Sequence, residues 1–289
     1  AGIPDGVLNI VPGFGEKTGK PLALHMDVDM VTFTGSTEVG KLMMRYAADS
    51  NIKRVALELG GKSAQIVMPD ADLDAAAEAI AWSIYYNQGQ TCHAGSRVLA
   101  HRSIRKQLIE KIIKVTAAQI PQGHSFDPAA QMGAMVEQKH MERVLDYISI
   151  GQKEGASLAL GGKQIMQNTG GFYVEPTIFD EVKPDMRIAQ EEIFGPVLAV
   201  IPFDTEEEAV RIANGTVFGL GGSVWTSDMN IAHRVSGAIR AGTVWVNCYD
   251  KSSPVTPFGG FKQSGFGRDR SPHAVDKYMD YKTIWTVYK

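Results

Sequence analysis

The chain has 289 residues, 44% of them hydrophobic and 21% charged, with a formal net charge of −3. This is the composition of a globular protein long enough for a large core and two domains. It excludes a basic nucleic-acid-binding surface, and no apolar run approaches the roughly 18 residues of a membrane-spanning helix. Nucleic acid and membrane are therefore not expected partners. The first residues lack the basic-then-apolar pattern of a signal peptide. The two cysteines, Cys92 and Cys248, are too few for a disulfide framework and are not at metal-ligand spacing. No metal site is expected, and a reducing, cytoplasmic setting is.

The chain opens without Met and runs almost at once into a strand-like Val7-Leu8-Asn9-Ile10-Val11, so it reads as a chain entered midway. Val31–Thr34 is a short β-rich run that ends at Gly35-Ser36-Thr37-Glu38, and an amphipathic stretch follows over 39–48. This predicts strand, tight turn, helix, with Ser36 or Thr37 as N-cap. Such a helix start presents free N–H groups to an anion such as a phosphate. A plain capped helix is the alternative, and neither a dinucleotide glycine fingerprint nor a Walker loop is present. Asp70-Ala71-Asp72-Leu73 opens a second helix, carried by Ala75, Ala79, Trp82 and Tyr86 and ending at Asn87-Gln88-Gly89. Ser103 is expected to cap a third, with Ile104, Leu108, Ile112 and Val115 on one face. A further helix is expected over 140–153, with Met141, Leu145 and Ile148 inward. Strands are expected at 64–68, 97–100, 157–160, 197–203, 222–226 and 243–247. Alternating strands and helices predict an α/β sheet, which binds ligands at the carboxyl ends of its strands. The end differs: a helical stretch closes over 276–281, and Lys282–Tyr288 reads as a terminal strand needing a partner edge within the subunit or on another.

Three motifs carry chemistry. Cys92 ends Asn87-Gln88-Gly89-Gln90-Thr91-Cys92. A thiolate attacks carbonyls well, and Gly89 and Gly95 allow backbone and substrate to come close. The polar setting argues against a thiol buried only for packing. Glu58, in Leu57-Glu58-Leu59-Gly60-Gly61-Lys62, sits in a run too apolar for a solvated carboxylate. Burial there raises its pKa toward that of a general base, unless it is ion-paired in a core. Glu191-Glu192-Ile193-Phe194-Gly195-Pro196 sets a carboxylate beside an aromatic ring, suited to ribose hydroxyls and a flat ligand; a helix-end acid pair with a buried Phe is the alternative.

Together these motifs resemble the aldehyde dehydrogenase superfamily. The matches are Phe33-Thr34-Gly35-Ser36-Thr37-Glu38-Val39-Gly40, the Glu58, Cys92 and Glu192 motifs, and Pro257-Phe258-Gly259-Gly260-Phe261-Lys262-Gln263-Ser264-Gly265. They occur in family order over essentially the whole chain. The texture is similar to γ-glutamyl-γ-aminobutyraldehyde dehydrogenases and related polyamine-pathway members.

The resemblance implies an α/β fold: the end of a Rossmann-type cofactor domain at 1–60, a complete α/β catalytic domain at 61–261, and a return helix with an oligomerisation strand at 262–289. It implies oxidation of a small-molecule aldehyde with NAD, NADP not excluded. Cys92 forms a thiohemiacetal and then a thioester, and Glu58 activates the hydrolytic water. Gly13, Gly15, Gly35, Ser36, Leu59, Glu192 and Phe194 are implied at the cofactor. A homodimer or homotetramer is implied for the full-length parent through Lys282–Tyr288. Family chains are longer. The resemblance places before Ala1 the first half of the cofactor fold, an oxyanion-hole Asn and a ribose-binding Lys, so these 289 residues alone are expected to be inactive or poorly folded.

The expected substrate tunnel includes Tyr85, Tyr86, Trp82, Thr91, His93, Asp250 and Phe258. Asp250 with the two tyrosines is suited to an aminoaldehyde, unless Asp250 is a solvated turn residue. His93 is not expected to act on Cys92, since sequence neighbours usually point apart, and Cys248 reads as a packing or tunnel-wall thiol. A thiol hydrolase or acyltransferase, a non-catalytic scaffold and a CoA-acylating variant are the competing readings.

Overall fold

The computed structural model describes residues 2–289, which fold as a mixed α/β protein with two principal sheets. The larger has seven strands in the spatial order Thr243–Val246, Gly221–Trp225, Ala64–Val67, Arg97–His101, Val197–Phe203, Thr177–Asp180, Ser157–Leu160. Neighbours are parallel except the last pair, which is antiparallel. A parallel sheet is covered on both faces, so its strands are apolar at successive residues. Ile66, Leu99, Ala199 and Ile201 enter one core layer, against Val144, Ile148, Ile212 and Val235 from the helices Gln138–Lys153, Glu206–Asn214 and Met229–Ala238. Val67, Val98, Ala100, Leu198 and Val200 enter the other, against Ile80, Ile84, Leu108 and Ile112 from the helices Leu73–Tyr85 and Arg105–Gln119.

The smaller sheet joins Met30–Thr34 and Arg54–Glu58 in parallel, with Thr34 opposite Glu58. Gly265–Phe266 adds to it antiparallel, with Gly265 opposite Glu58. The chain leaves Thr34 for Gly35-Ser36 and then the helix Thr37–Ala48, whose N-cap is Ser36: its Oγ accepts from the Val39 N–H at 3.3 Å. Asp72 caps Leu73–Tyr85 in the same way, accepting from the N–H groups of Asp74 and Ala75. No helix among the described residues is long and apolar enough to cross a membrane.

Three expectations are corrected. Val7–Val11 forms no strand, and Val7, Leu8, Ile10 and Val11 stay exposed. Lys282–Tyr288, expected to need a partner edge within the subunit or on another, pairs with no strand among the described residues, and Ile284, Trp285, Val287 and Tyr288 are exposed. A strand exists only through its hydrogen-bonded neighbour, and no edge within the described residues meets either segment. Ser103 is not a cap: its Oγ pairs with His101 Nδ1 at 2.8 Å, and the third helix begins at Arg105, whose guanidinium bonds Glu181. The closing helical stretch is a 3-10 turn, Pro272–Tyr278, ending before residue 281.

Ile66 has no solvent exposure at the centre of the larger sheet, between Val224 and Leu99. Ile66→Ala is expected to cost about 2–5 kcal/mol of unfolding free energy by denaturant titration, through lost burial and the cavity left behind.

Candidate active site

Both principal sheets deliver their carboxyl-end loops to one place. The strand Arg54–Glu58 passes through Leu59-Gly60-Gly61-Lys62 into the strand Ala64–Val67. A Cβ on Gly60 would stand 2.0 Å from Glu192 Oε2, and one on Gly61 2.3 Å from the Cys92 carbonyl oxygen. Only glycine lets this crossing lie flat against both. Lys62 is held from behind: Arg97, fully buried, donates to its carbonyl at 2.9 Å and to Ile212 and Ala213 at the end of the helix Glu206–Asn214.

Cys92 arrives from the other side. The helix Leu73–Tyr85 stops because Asn87, Gln88 and Gly89 adopt φ of +49°, +57° and +71°. These left-handed residues turn the chain, Asn87 Nδ2 fastens the Gln90 carbonyl at 3.0 Å, and Thr91-Cys92-His93 follows as a further turn. The Gly89 position abuts the Gly195 carbonyl, and Gly95 abuts the side chains of Gln65 and Ser83. These two glycines therefore serve packing inside the protein rather than the approach of a substrate expected from the sequence.

Cys92 and Glu58 line one cavity of about 450 Å³, together with Thr34, Gly35, Ser36, Gly60, Glu192 and Phe194. Both Glu58 carboxylate oxygens are buried with no hydrogen-bond partner in the chain, and burial lifts its pKa to about 7, with the Cys92 thiol opposing. The Cys92 thiol is pushed up to about 12, first by burial and then by Glu58 and Glu192. Negative charge on one of these groups thus disfavours it on the other. Glu192 Oε1 accepts from the Gly61 N–H at 3.0 Å, and burial raises its pKa. Glu191 points away, bonded to Tyr147 and Arg187, so the adjacent acids divide between site and scaffold. Phe194 holds φ +60°, and its carbonyl accepts from His140 Nε2 at 2.6 Å.

These residues fit a dinucleotide. Ser36 opens a 12-residue helix, Glu192 keeps Oε2 free, and the Phe194 ring faces the same space. Gly13 and Gly15 lie exposed before the short helix Lys20–Leu24 and do not line this cavity. Leu59 is buried, its side chain lying where a Cβ on Gly40 would fall. Sequence reasoning missed His140 and Arg143, which line the cavity and bond the carbonyls of Phe194 and Glu192. Their spacing on the helix Gln138–Lys153 was the available signal, since i and i+3 share a face.

A second cavity, of about 150 Å³, lies beyond the Cys92 turn. Trp82, Tyr86, Thr91, His93 and Asp250 line it as expected, joined by Ala79, Ser83 and Tyr249. Of the Ala75–Ala79–Trp82–Tyr86 stripe, Ala79 and Trp82 also pack on the core while Ala75 and Tyr86 are exposed; Ala77, Ala81 and Tyr85 are fully buried. Tyr85 is a correction: it is wholly buried, lines no tunnel, and its hydroxyl donates to the Thr177 carbonyl at 3.3 Å. Phe258 lines a separate small cavity beside Glu58, and its ring meets that of His93 edge-on at 5.8 Å. His93 is a further correction to the expectation that neighbours point apart, because its Nδ1 lies 3.7 Å from Cys92 Sγ.

Residues 1–284 match the profile of the aldehyde dehydrogenase family. Aldehyde dehydrogenase 1 of Tanacetum cinerariifolium is 48% identical over 286 residues, which are 99% of this chain and 57% of that protein. The crystal structure of an indole-3-acetaldehyde dehydrogenase with NAD+ superposes with a TM-score of 0.96 at 56% identity, covering 99% of this chain and 58% of that one. The γ-glutamyl-γ-aminobutyraldehyde dehydrogenase of Burkholderia cenocepacia J2315 superposes with a TM-score of 0.92 at 57% identity, covering 96% of this chain and 56% of that one. The chain thus spans somewhat more than half the length of the relatives it matches. On its sequence and its fold, this chain belongs to the aldehyde dehydrogenase family.

Proposed function

We propose that the whole protein oxidises an aldehyde to a carboxylic acid with NAD, NADP being the alternative cofactor, and that Cys92 and Glu58 carry the chemistry. The observation that carries this reading is the single cavity in which thiol, buried carboxylate, helix start, Glu192 and Phe194 meet. In this reading residues 1–60 belong to the cofactor domain, 61–261 to the catalytic domain, and 262–289 to a return segment and oligomerisation strand. The pairing of Gly265–Phe266 with Arg54–Glu58 supports a return, and the exposed Ile284, Trp285, Val287 and Tyr288 support a partner copy beside that strand.

Cys92 attacks the aldehyde carbon to form a thiohemiacetal. The dinucleotide, when bound, supplies the hydride acceptor, with Glu192 orienting the ribose and Phe194 the ring. The resulting Cys92 thioester is cleaved by a water whose proton passes to Glu58. A pKa near 7 suits that task, since the group is ionised at working pH yet basic enough to take a proton. In the whole protein, Cys92→Ala is expected to abolish dinucleotide reduction. Glu58→Gln is expected to slow it by roughly 10²–10⁴ and to remove the acid limb, where the wild-type rate falls as pH drops below about 7. Aldehyde-dependent reduction persisting in Cys92→Ala would overturn the assignment.

Glu58 also gives a check independent of turnover. Its folded pKa is raised from 4.5 to about 7, so the protonated carboxyl favours the fold at low pH. That stability is lost as pH rises through about 7. Glu58→Gln is expected to raise the melting temperature above neutral pH and leave it nearly unchanged in acid.

The second cavity favours an aldehyde carrying an amino group. Asp250 stands at its wall with one carboxylate oxygen on His93 and the other free, and the aromatic residues Trp82 and Tyr86 line the same cavity, a setting suited to a cation. Asp250→Asn is expected to lower the ratio of kcat/KM for an aminoaldehyde over propanal by about tenfold, equal to about 1.4 kcal/mol. An unchanged ratio would remove the preference.

A further inference from the structure

The turn at Thr91-Cys92-His93 brings adjacent side chains together, which neither a helix nor a strand does. His93 Nδ1 lies 3.7 Å from Cys92 Sγ, and the other ring nitrogen, Nε2, lies 2.9 Å from Asp250 Oδ1. A carboxylate only accepts hydrogen bonds, so Asp250 places the ring proton on Nε2 and leaves Nδ1 as a lone pair facing the thiol. The ring is also held in place. Phe258 packs edge-on at 5.8 Å, Trp245 lies at 6.4 Å, and the Tyr249 hydroxyl donates to the His93 carbonyl at 2.6 Å.

We propose that His93, fixed by Asp250, is a second proton acceptor for Cys92, reached from the tunnel side of the nucleophile. The proposal rests on Cys92 being the nucleophile. In the step the S–H bond breaks, its electron pair stays on sulfur, and the proton forms a new bond to Nδ1. Nothing is oxidised or reduced. The imidazolium is stabilised through Nε2–H by Asp250 and loses its proton to solvent on that side, where the Asp250 side chain is 53% exposed.

Charge favours this route over one that uses Glu58 alone. Glu58 and Glu192 face Cys92 from the cofactor side, and each pushes the thiol pKa upward. An imidazolium 3.7 Å away is the one positive charge that stabilises the thiolate at contact. Besides His93, Asp250, Tyr249 and Tyr86 are the titratable groups lining the tunnel side, with Arg270 acting on Asp250. Tyr249 is buried with its pKa raised, so it stays neutral, and Asp250 is held below the usual carboxylate range chiefly by the hydrogen bond from His93. The division leaves Glu58 unprotonated for the hydrolytic water, because the thiol proton has gone elsewhere. His93 is then a catalytic residue and Asp250 a positioning residue.

The test is the pH dependence of Cys92 alkylation by iodoacetamide, with the modified peptide identified by mass spectrometry and Cys248 as internal reference. In His93→Asn alkylation of Cys92 is expected to slow about tenfold across about pH 7–9, the effect of a thiol pKa raised by about one unit. Asp250→Asn is expected to slow it by less, the Cys248 rate staying unchanged in both. Imidazole added to His93→Asn is expected to restore part of the rate, as it does not for a merely distorted loop. A His93→Asn profile that superimposes on wild type overturns the proposal, and so does a loss equal at every pH that imidazole does not rescue. Alkylation needs neither aldehyde nor dinucleotide. Slowed, imidazole-rescued alkylation in a protein without aldehyde oxidation therefore refutes the proposed reaction and keeps the pair, while oxidation with unchanged alkylation refutes only the pair.

Discussion

Everything at this site depends on the flatness of two peptide units. Gly60 and Gly61 carry the chain from the smaller sheet into the larger with Glu192 pressed against one and the Cys92 backbone against the other. A methyl group at either position would overlap these neighbours by more than an ångström. The crossing therefore sets Glu58, Cys92 and Glu192 against one another by close contact, of Gly61 with the Cys92 backbone and of Gly60 with the Glu192 carboxylate. Side-chain hydrogen bonds add little here, since only one Glu192 oxygen is tied, to the Gly61 N–H.

The same crossing concentrates buried groups that lack partners. Glu58 has none for either oxygen, and Lys62 Nζ, wholly buried, has none and falls to about 7 through burial. Such groups cost stability, and proteins confine them to places where the chemistry needs them. A carboxyl and a thiol made reluctant to ionise are stronger bases once they do. The rest of the core offsets this locally through the two apolar layers around Ile66 and Val67, and the charged Arg97 buried between them spends its donors on the carbonyls of Lys62, Ile212 and Ala213.

Local patterns were legible in the sequence where one element decides the outcome. Ser36 and Asp72 cap their helices as their neighbours predict, and six strands of the larger sheet fall within a residue or so of their expected positions. Thr177–Asp180 was not read, although strands as short as Ser157–Leu160 were. Tyr85 was misread although the signal existed: it sits at i+4 from Ala81 and i+8 from Ala77, both buried, while Tyr86 turns about 100° away toward the cavity. The site's acids and thiol were legible as motifs. What they touch was not, because contacts such as His93 with Asp250 join residues 157 positions apart.

The strand bearing Glu58 is completed by Gly265–Phe266, and Ser264 Oγ closes the arrangement by donating to the Gly60 carbonyl across 204 residues. Ser264 also accepts from Gly219, so one hydroxyl stitches three distant segments. Contacts of such separation form late, because the loop must close before they contribute. During synthesis Cys92 therefore leaves the ribosome well before the segment that completes the Glu58 strand. The emerging chain carries the Cys92 thiol while the Glu58 strand still lacks its antiparallel partner, until residues 265 and 266 have been made.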